Sequence, residues 1–293
     1  MMEKLVTFKN IKYALFLLMI CLNGCSFFSS SLPTPLQWST NRDNISFSHV
    51  MNNQNDSEMV LFRTENSIDE LRSKDNDNYG TLKNIVKWTH DQWLHNGKQE
   101  PTSSDPLTIL REVSEGQNFR CVEYAIIVAA SAQCLGLPAR VLSLRRKDVE
   151  TAKYNAGHVV AEVWIDEFEK WVMADAQVDV IPEMDGIPLN AVEFQANITK
   201  FGSNLQLHTS SNIRPRKYIN WISSYLYYFQ VVVDQRFFPL SSKQAKEKIM
   251  LVPKGAKRPT IFQRDYPIEN CIYVSNLEIF YPPIIANEDK MVE

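Results

Sequence analysis

The sequence predicts an α+β fold, a buried helix laid against an antiparallel sheet, and two stretches carry that expectation. Residues 121–136 (CVEYAIIVAASAQCLG) are alanine-rich and apolar on every side, as a fully buried helix must be, and Gly136 and Pro138 stand where they would end it. Behind them come three strand-like runs, 139–144, 158–165 and 170–176, the last two separated only by the acidic residues 166–169. So short a connection between two apolar runs reads as a hairpin. A helix followed by antiparallel strands is α+β rather than alternating α/β.

The flanking elements are read in the same way. From Thr81 the apolar positions Leu82, Ile85, Val86, Trp88 and Trp93 follow a helical period that ends near Asn96-Gly97. His90 and His95 lie five apart on it, a poor spacing for two ligands on one face, and are expected to be structural or solvated. Asp105-Pro106 opens a short helix through Leu110. Residues 36–80 are polar and Asn/Asp-rich. Within them Asp75-Asn76-Asp77-Asn78-Tyr79-Gly80 looks like the start of a calcium loop, but the fifth position is Tyr79 and the twelfth is Val86, where carboxylates are needed. A solvated turn is the better reading, and no metal site is expected.

Downstream, residues 218–233 (YINWISSYLYYFQVVV) run for sixteen positions without a charge. They are too polar and too short to cross a bilayer of ~30 Å. They are read as core helix or strand with aromatics lining a cleft. Strand-like pieces follow at 270–275 and 277–281. The expected organisation is a core over 81–190, a C-terminal extension of unassigned role over 191–293, and an N-terminal segment over 25–80.

Composition is that of an ordinary globular protein: 44% apolar and 22% charged residues, with a net charge of −3, which argues against nucleic acid as a partner. The first 24 residues differ. Lys4, Lys9 and Lys12 precede an uncharged apolar run, 13–22 (YALFLLMICL), too short for a membrane span but suited to a secretion signal. Leu22-Asn23-Gly24-Cys25 follows directly and resembles the lipobox of bacterial lipoproteins. That resemblance implies cleavage before Cys25, lipidation of its sulfur, and anchoring in the bacterial cell envelope, with the Ser/Pro-rich residues 26–35 as a tether. Cys121, Cys134 and Cys271 then remain as thiols, an odd number for a chain outside the reducing cytosol.

Cys121 is the thiol best placed for chemistry. It opens the buried helix, where free backbone N–H groups and the helix dipole favour negative charge on sulfur and could also bind an oxyanion, and Arg120 adds positive charge. Cys134 lies thirteen residues on, roughly 220° round the helix at 3.6 residues per turn, and reads as core; Cys271, in a strand, does too. A nucleophilic cysteine needs a base, and the base needs an orienter. The hairpin supplies both. If 166–169 is the loop, Ile165 opposes Lys170 and Val160 opposes Asp175, so Asp175 is one pleat from His158 on the same face. A slip of one residue would separate them. Gln117 is a candidate oxyanion donor or a turn residue. Glu123 and Tyr124 are pocket residues or satisfied polar groups near the helix start. Trp164 and Trp171 read as core.

Four blocks occur in order: Arg120-Cys121-Val122-Glu123-Tyr124-Ala125, Leu135-Gly136-Leu137-Pro138-Ala139-Arg140, Gly157-His158-Val159-Val160-Ala161-Glu162-Val163-Trp164 and Lys170-Trp171-Val172-Met173-Ala174-Asp175. Together they resemble the transglutaminase-like family. The resemblance implies a papain-like core with Cys121 as nucleophile, His158 as base and acid, and Asp175 as orienter, needing no cofactor. It implies chemistry on amide bonds of peptides or proteins through an acyl-thioester. Water as acceptor gives a hydrolase, an amine gives a transferase. The competing expectation is a surface binding or assembly module that keeps the fold without turnover.

Overall fold

The computed structural model describes residues 34–41, 45–238 and 246–284. The signal-like segment and Cys25 lie outside these residues. Helices come first: α1 (Ser57–Glu65), a 3₁₀ turn (Ile68–Leu71), α2 (Asn78–Asp91), α3 (Pro106–Ser114) and α4 (Cys121–Cys134). Residues 57–71, polar in composition, thus hold elements that their sequence pattern does not announce.

Local chemistry sets the helix limits. The calcium-like turn is the start of α2, whose N-cap Asp77 accepts the Gly80 N–H. The helix stops at Asp91, short of Asn96-Gly97, because the chain beyond it is held elsewhere: Asn118 Oδ1 accepts the Leu94 N–H at 2.9 Å and the Phe119 carbonyl accepts the Asn96 N–H at 2.8 Å. Asp105 Oδ1 caps α3 at 2.8 Å from the Thr108 nitrogen, with Pro106 in the first turn, and α3 continues a full turn past Leu110. At the end of α4 the Leu137 N–H reaches back to the Ala132 carbonyl at 2.9 Å. Gly136 there has φ +87°, a backbone state that residues with a Cβ rarely adopt.

The main sheet has six strands in the order β11-β8-β7-β1-β2-β3: β1 (Ala139–Arg145), β2 (Gly157–Ile165), β3 (Lys170–Ala174), β7 (Tyr228–Val232), β8 (Lys248–Leu251) and β11 (Cys271–Val274). All pairs are antiparallel except β11 with β8. The β2–β3 hairpin has the register its loop length predicts, Ile165 opposite Lys170 through Ala161 opposite Ala174. A three-stranded sheet, β4 (Ile181–Met184), β5 (Ile187–Pro188) and β6 (Leu205–His208), and a small ribbon, β9 (Ile261–Phe262) with β10 (Tyr266–Pro267), complete the strands. Helices α5 (Ala191–Asn197), α6 (Pro215–Ile222) and α7 (Leu277–Phe280) follow along the chain, with 3₁₀ turns at Asp166–Phe168 and Ile198–Lys200.

Both faces of the main sheet are covered. Ala139, Ala161, Val163, Ile165, Val172 and Ala174 pack with the core of α1, α2 and α4. Their alternates Leu142, Leu144, Val160 and Met173 pack in a second core with Tyr218, Ile219, Ile222 and Phe280. The period-2 alternation of side chains explains why β2 is buried almost throughout: each face has its own layer. Residues beyond 190 therefore furnish one layer and three of the six strands. The uncharged run 218–233 divides into α6 and β7, with a turn between. The expected strand over 277–281 is instead α7, because Asn276 Oδ1 accepts the Ile279 N–H at 3.2 Å and starts a helix.

The second core contains a buried ion pair. Arg140 and Glu162 stand opposite each other on β1 and β2 and are both fully buried. Arg140 donates to Glu162 Oε2 through Nη2 at 2.6 Å and Nε at 3.0 Å, and to the Phe280 carbonyl at 3.0 Å. Glu162 Oε1 accepts the Ala191 N–H at 3.0 Å and the Tyr281 hydroxyl at 2.9 Å. Trp171, Phe280 and Tyr281 surround the guanidinium with their rings. His49 Nε2 lies 3.0 Å from Arg140 Nη1, and burial together with that charge pushes its ring down to about 3, so His49 is the neutral acceptor. Among the described residues no helix is long and apolar enough to cross a membrane.

Removing one partner of such a pair leaves an uncompensated buried charge. Glu162→Leu should cost about 3–5 kcal/mol in urea unfolding. The double variant Arg140→Met/Glu162→Leu should be less destabilised than Glu162→Leu alone. A double variant worse than the single would mean that Arg140 stabilises the fold through its other partners even without Glu162.

Candidate active site

The start of α4 is fixed by a set of contacts from the sequence around it. Phe119 is fully buried, and its carbonyl accepts both the Asn96 N–H and, at 3.4 Å, Trp93 Nε1. Glu123 reaches back one turn: its carboxylate accepts the Arg120 N–H at 3.0 Å and pairs with Arg120 Nη2 at 2.8 Å, while Arg120 Nη1 pairs with Glu100. Tyr124 donates its hydroxyl to the Trp93 carbonyl at 2.7 Å and stacks on the Trp93 ring at 4.1 Å. Glu123 and Tyr124, both buried, thus anchor the helix end internally. Cys121 is left half-buried at the first helical position, where intrahelical partners for backbone N–H groups are lacking.

His158 is the second residue of β2 and is 2% exposed. Its Nε2 lies 2.8 Å from Asp175 Oδ2, and the same oxygen accepts the Tyr218 hydroxyl at 3.0 Å. A carboxylate acceptor assigns a proton to Nε2 and leaves Nδ1 as the ring's second site, and Cys121 is near enough to favour charge on the ring. Burial opposes charge on this imidazole. The Asp175 carboxylate in contact and the Cys121 sulfur overcome it, and the ring is pushed up to about 10. The hydroxyl of Tyr218, desolvated and beside Asp175, is held protonated.

Asp175 sits just past the end of β3. The chain there turns sharply, with the Asp175 N–H bonded to the Val180 carbonyl at 2.9 Å and the Val180 N–H returning to Asp175 at 3.0 Å. His90 Nδ1 lies 3.0 Å from the Ala176 carbonyl and braces the next residue. Oδ1 of Asp175 is buried and has no hydrogen-bond partner among the described residues. The other nearby carboxylate, Asp179, accepts the Ser210 N–H at 2.9 Å and is tied to that loop.

Aromatic rings close the far side of His158. Trp221 meets its ring edge-on at 4.7 Å, and Tyr225 follows at 6.0 Å. Tyr218, Trp221 and Tyr225 were not separable from the rest of the uncharged run by sequence alone; its aromatic density is the signal that pointed at a cleft. His95 also comes within electrostatic reach of His158, Asp175 and Glu123, and burial and the His158 charge push its ring down. Its spacing from His90 gave no hint of this.

A groove of about 370 Å³ runs past Cys121 and His158, walled by residues of β1, β7, β8 and the β9–β10 ribbon. Among the candidates from sequence, the fold brings Cys121, His158 and Asp175 together. Glu123 and Tyr124 face inward, and Gln117 is exposed, its side-chain oxygen accepting from Gln99. None of these three lines the groove. Iodoacetamide should therefore alkylate Cys121 in the native protein. Cys134, fully buried and with its thiol pushed up to about 12, should stay unlabelled until unfolding. Peptide mapping of the alkylated cysteines checks this, and prior reaction of Cys134 would contradict it.

Residues 66–176 match the family model of the transglutaminase-like superfamily. Comparison with curated proteins found no match. Among solved structures, one from Cytophaga hutchinsonii described as a candidate cysteine protease shares 13% identity at a TM-score of 0.33, over 53% of this chain and 52% of that one. Another, described as a TGase, shares 16% identity at a TM-score of 0.29, over 41% of this chain and 32% of that one. The chain thus spans about half of the first and a third of the second. The family match and the helix-on-antiparallel-sheet architecture agree in giving residues 66–176 a transglutaminase-like fold.

Proposed function

We propose that this protein is a thiol enzyme acting on amide bonds of peptides or proteins, with Cys121 as nucleophile, His158 as base and acid, and Asp175 as its orienting partner. One observation carries the reading: the buried His158 is bonded to a carboxylate and shares one groove with a cysteine at a helix start. Cys121 sulfur attacks the carbonyl carbon, the C–S bond forms, and the carbonyl electron pair moves to oxygen. Backbone N–H groups of the first turn of α4 would receive that oxyanion. Collapse breaks the C–N bond, and the departing amine takes a proton from the His158 imidazolium. A water then gives its proton to His158 and attacks the thioester, releasing a carboxylic acid and restoring the sulfur. We favour water as acceptor; an amine in its place would make a cross-linking transferase.

The roles differ in what each substitution removes. A peptide mixture from casein, with products identified by mass spectrometry, provides a substrate screen. On a substrate so found, Cys121→Ala and His158→Ala should both lose kcat/KM by about 10³-fold or more. Asp175→Asn should be the mildest change, because its amide oxygen can occupy the Oδ2 position and accept from both His158 and Tyr218, with the NH₂ at the unpartnered Oδ1 position. Asp175→Ala should be worse than Asn. Full activity in a folded Asp175→Ala variant would remove Asp175 from the mechanism.

The charge on His158 gives a pH test. Its pKa in the folded protein is about 10, above the value of ~6.5 in an unfolded chain. The stability contributed by the charged ring is complete below ~6.5 and is lost as pH rises through about 10. Asp175→Asn removes the strongest attraction, so its ring should lose the proton at lower pH. The alkaline limb of kcat/KM should move toward acid in this variant, and an unmoved limb would assign it to another group.

The lipoprotein-like N-terminus supports a tethered form of this enzyme in the cell envelope. Cys25→Ser should then shift the protein from the membrane to the soluble fraction, and the wild-type mass should exceed that of residues 25–293 by a diacylglyceryl group. An unmodified mass would refute the anchor.

A further inference from the structure

Arg145 is the last residue of β1 and stands opposite Gly157, the neighbour of His158. Its side chain lines the groove that holds Cys121 and His158. Gln230 Oε1 accepts from its Nε at 3.1 Å and from Nη2 at 2.7 Å, and the Phe262 ring lies 4.6 Å beneath the guanidinium carbon. Gly157 permits this arrangement. A Cβ there would come within 3.2 Å of the Leu144 carbonyl and 3.3 Å of the Phe262 ring. The guanidinium is thus held in a fixed plane by an amide and an aromatic face, and Nη1 has no protein partner among the described residues.

What this cation lacks is an anion. No Asp or Glu lines the groove, and among the described residues none forms an ion pair with Arg145. Lys248, from β8, lines the same wall, so two cations share a space without a carboxylate. Partial burial pushes the half-buried Arg145 guanidinium down to about 10, which leaves it charged at neutral pH but short of water. A desolvated guanidinium is costly unless something completes its hydrogen bonds. Elsewhere in the same fold the comparable cation, Arg140, has its acid beside it.

We infer that the groove selects an amide substrate bearing a carboxylate near the reacting carbonyl, bound by Arg145 with Lys248 beside it. A planar guanidinium with free N–H groups fits a carboxylate through paired hydrogen bonds. The carboxylate is either an acidic side chain or a free chain-terminal carboxyl, and the inference rests on Cys121 being the reactive thiol.

Three alkylating probes of nearly equal size test it without turnover: N-iodoacetyl-glutamic acid α-amide, with a side-chain carboxylate; N-iodoacetyl-glutamine, with a free α-carboxylate; and the neutral N-iodoacetyl-glutamine amide. At pH 7 at least one charged probe should alkylate Cys121 about tenfold faster than the neutral one, equivalent to about 1.4 kcal/mol. Which probe is favoured identifies the source of the carboxylate. With each probe rate taken relative to the same variant's rate with iodoacetamide, Arg145→Gln should bring the ratio near one, Arg145→Lys should restore part of the preference, and Lys248→Gln should reduce it less. The wild-type ratio is decisive even if the arginine variants fold poorly. Equal rates for all three probes, with Cys121 still reactive to iodoacetamide, overturn the carboxylate inference alone. A preference that survives Arg145→Gln overturns the role of Arg145. If iodoacetamide does not modify Cys121 in the native protein, the nucleophile reading falls and this inference falls with it.

Discussion

The Arg140–Glu162 pair is the constraint on which the rest of the structure leans. Two opposite charges without solvent must find each other and complete their hydrogen bonds, and here only one register of β1 on β2 allows that. Fixing Arg140 opposite Glu162 fixes Leu144 opposite His158 and Arg145 opposite Gly157 further along the same strands. The pair also gathers distant parts of the chain. The His49 ring, the start of α5 at Ala191, the Phe280 carbonyl and the Tyr281 hydroxyl all complete its shell. A shift of any one would leave a buried polar group unpaired, so the ion pair couples the placement of the N-terminal segment and the last helix to the strand that carries His158.

The site itself is built at the meeting of the two layers that sandwich the sheet. Helix α4 brings the sulfur from one side. The sheet supplies the imidazole and, just past β3, the carboxylate. Helix α6 brings a hydroxyl to that carboxylate and the Trp221 ring to the imidazole from the other side, and the turn after it adds the Tyr225 ring. This surrounds His158 with apolar area while Asp175 holds one nitrogen and Cys121 stands within electrostatic reach, so its charge is governed by two neighbours rather than by water. The groove then offers a positive wall where a substrate would lie.

Much of this was legible in the sequence where the determinants are local. Gly136 and Pro138 mark the end of α4 because the backbone there needs a residue free of a Cβ and then a helix breaker. The register of the β2–β3 hairpin followed from the length of its loop, which fixes which residues face each other. The chemistry of Glu123 and Tyr124 was ambiguous because both roles use the same residue types near a helix start, and only the positions of Arg120 and Trp93 decide between them. Long-range partners left no local trace. Nothing around Tyr218 says that its hydroxyl meets Asp175, and nothing around Arg145 says that it lacks an acid. The run 277–281 was misread because five apolar-rich residues have too short a period to distinguish strand from helix, and the cap at Asn276 settled it. In 36–80 the polar composition hid α1, whose burial rests on a few side chains such as Met59 and Phe62.

The segment that matches the family ends at residue 176, yet Leu142, Leu144, Val160 and Met173 on its sheet point away from α4 into a layer made by later residues. Cut out on its own, that segment would present an apolar sheet face to water and would lose the hydroxyl on Asp175 together with the rings around His158. The recognisable part of the chain is therefore not a transferable module. Its boundaries in sequence comparison mark only where the likeness ends, whereas the unit that folds includes the strands and helices that follow it.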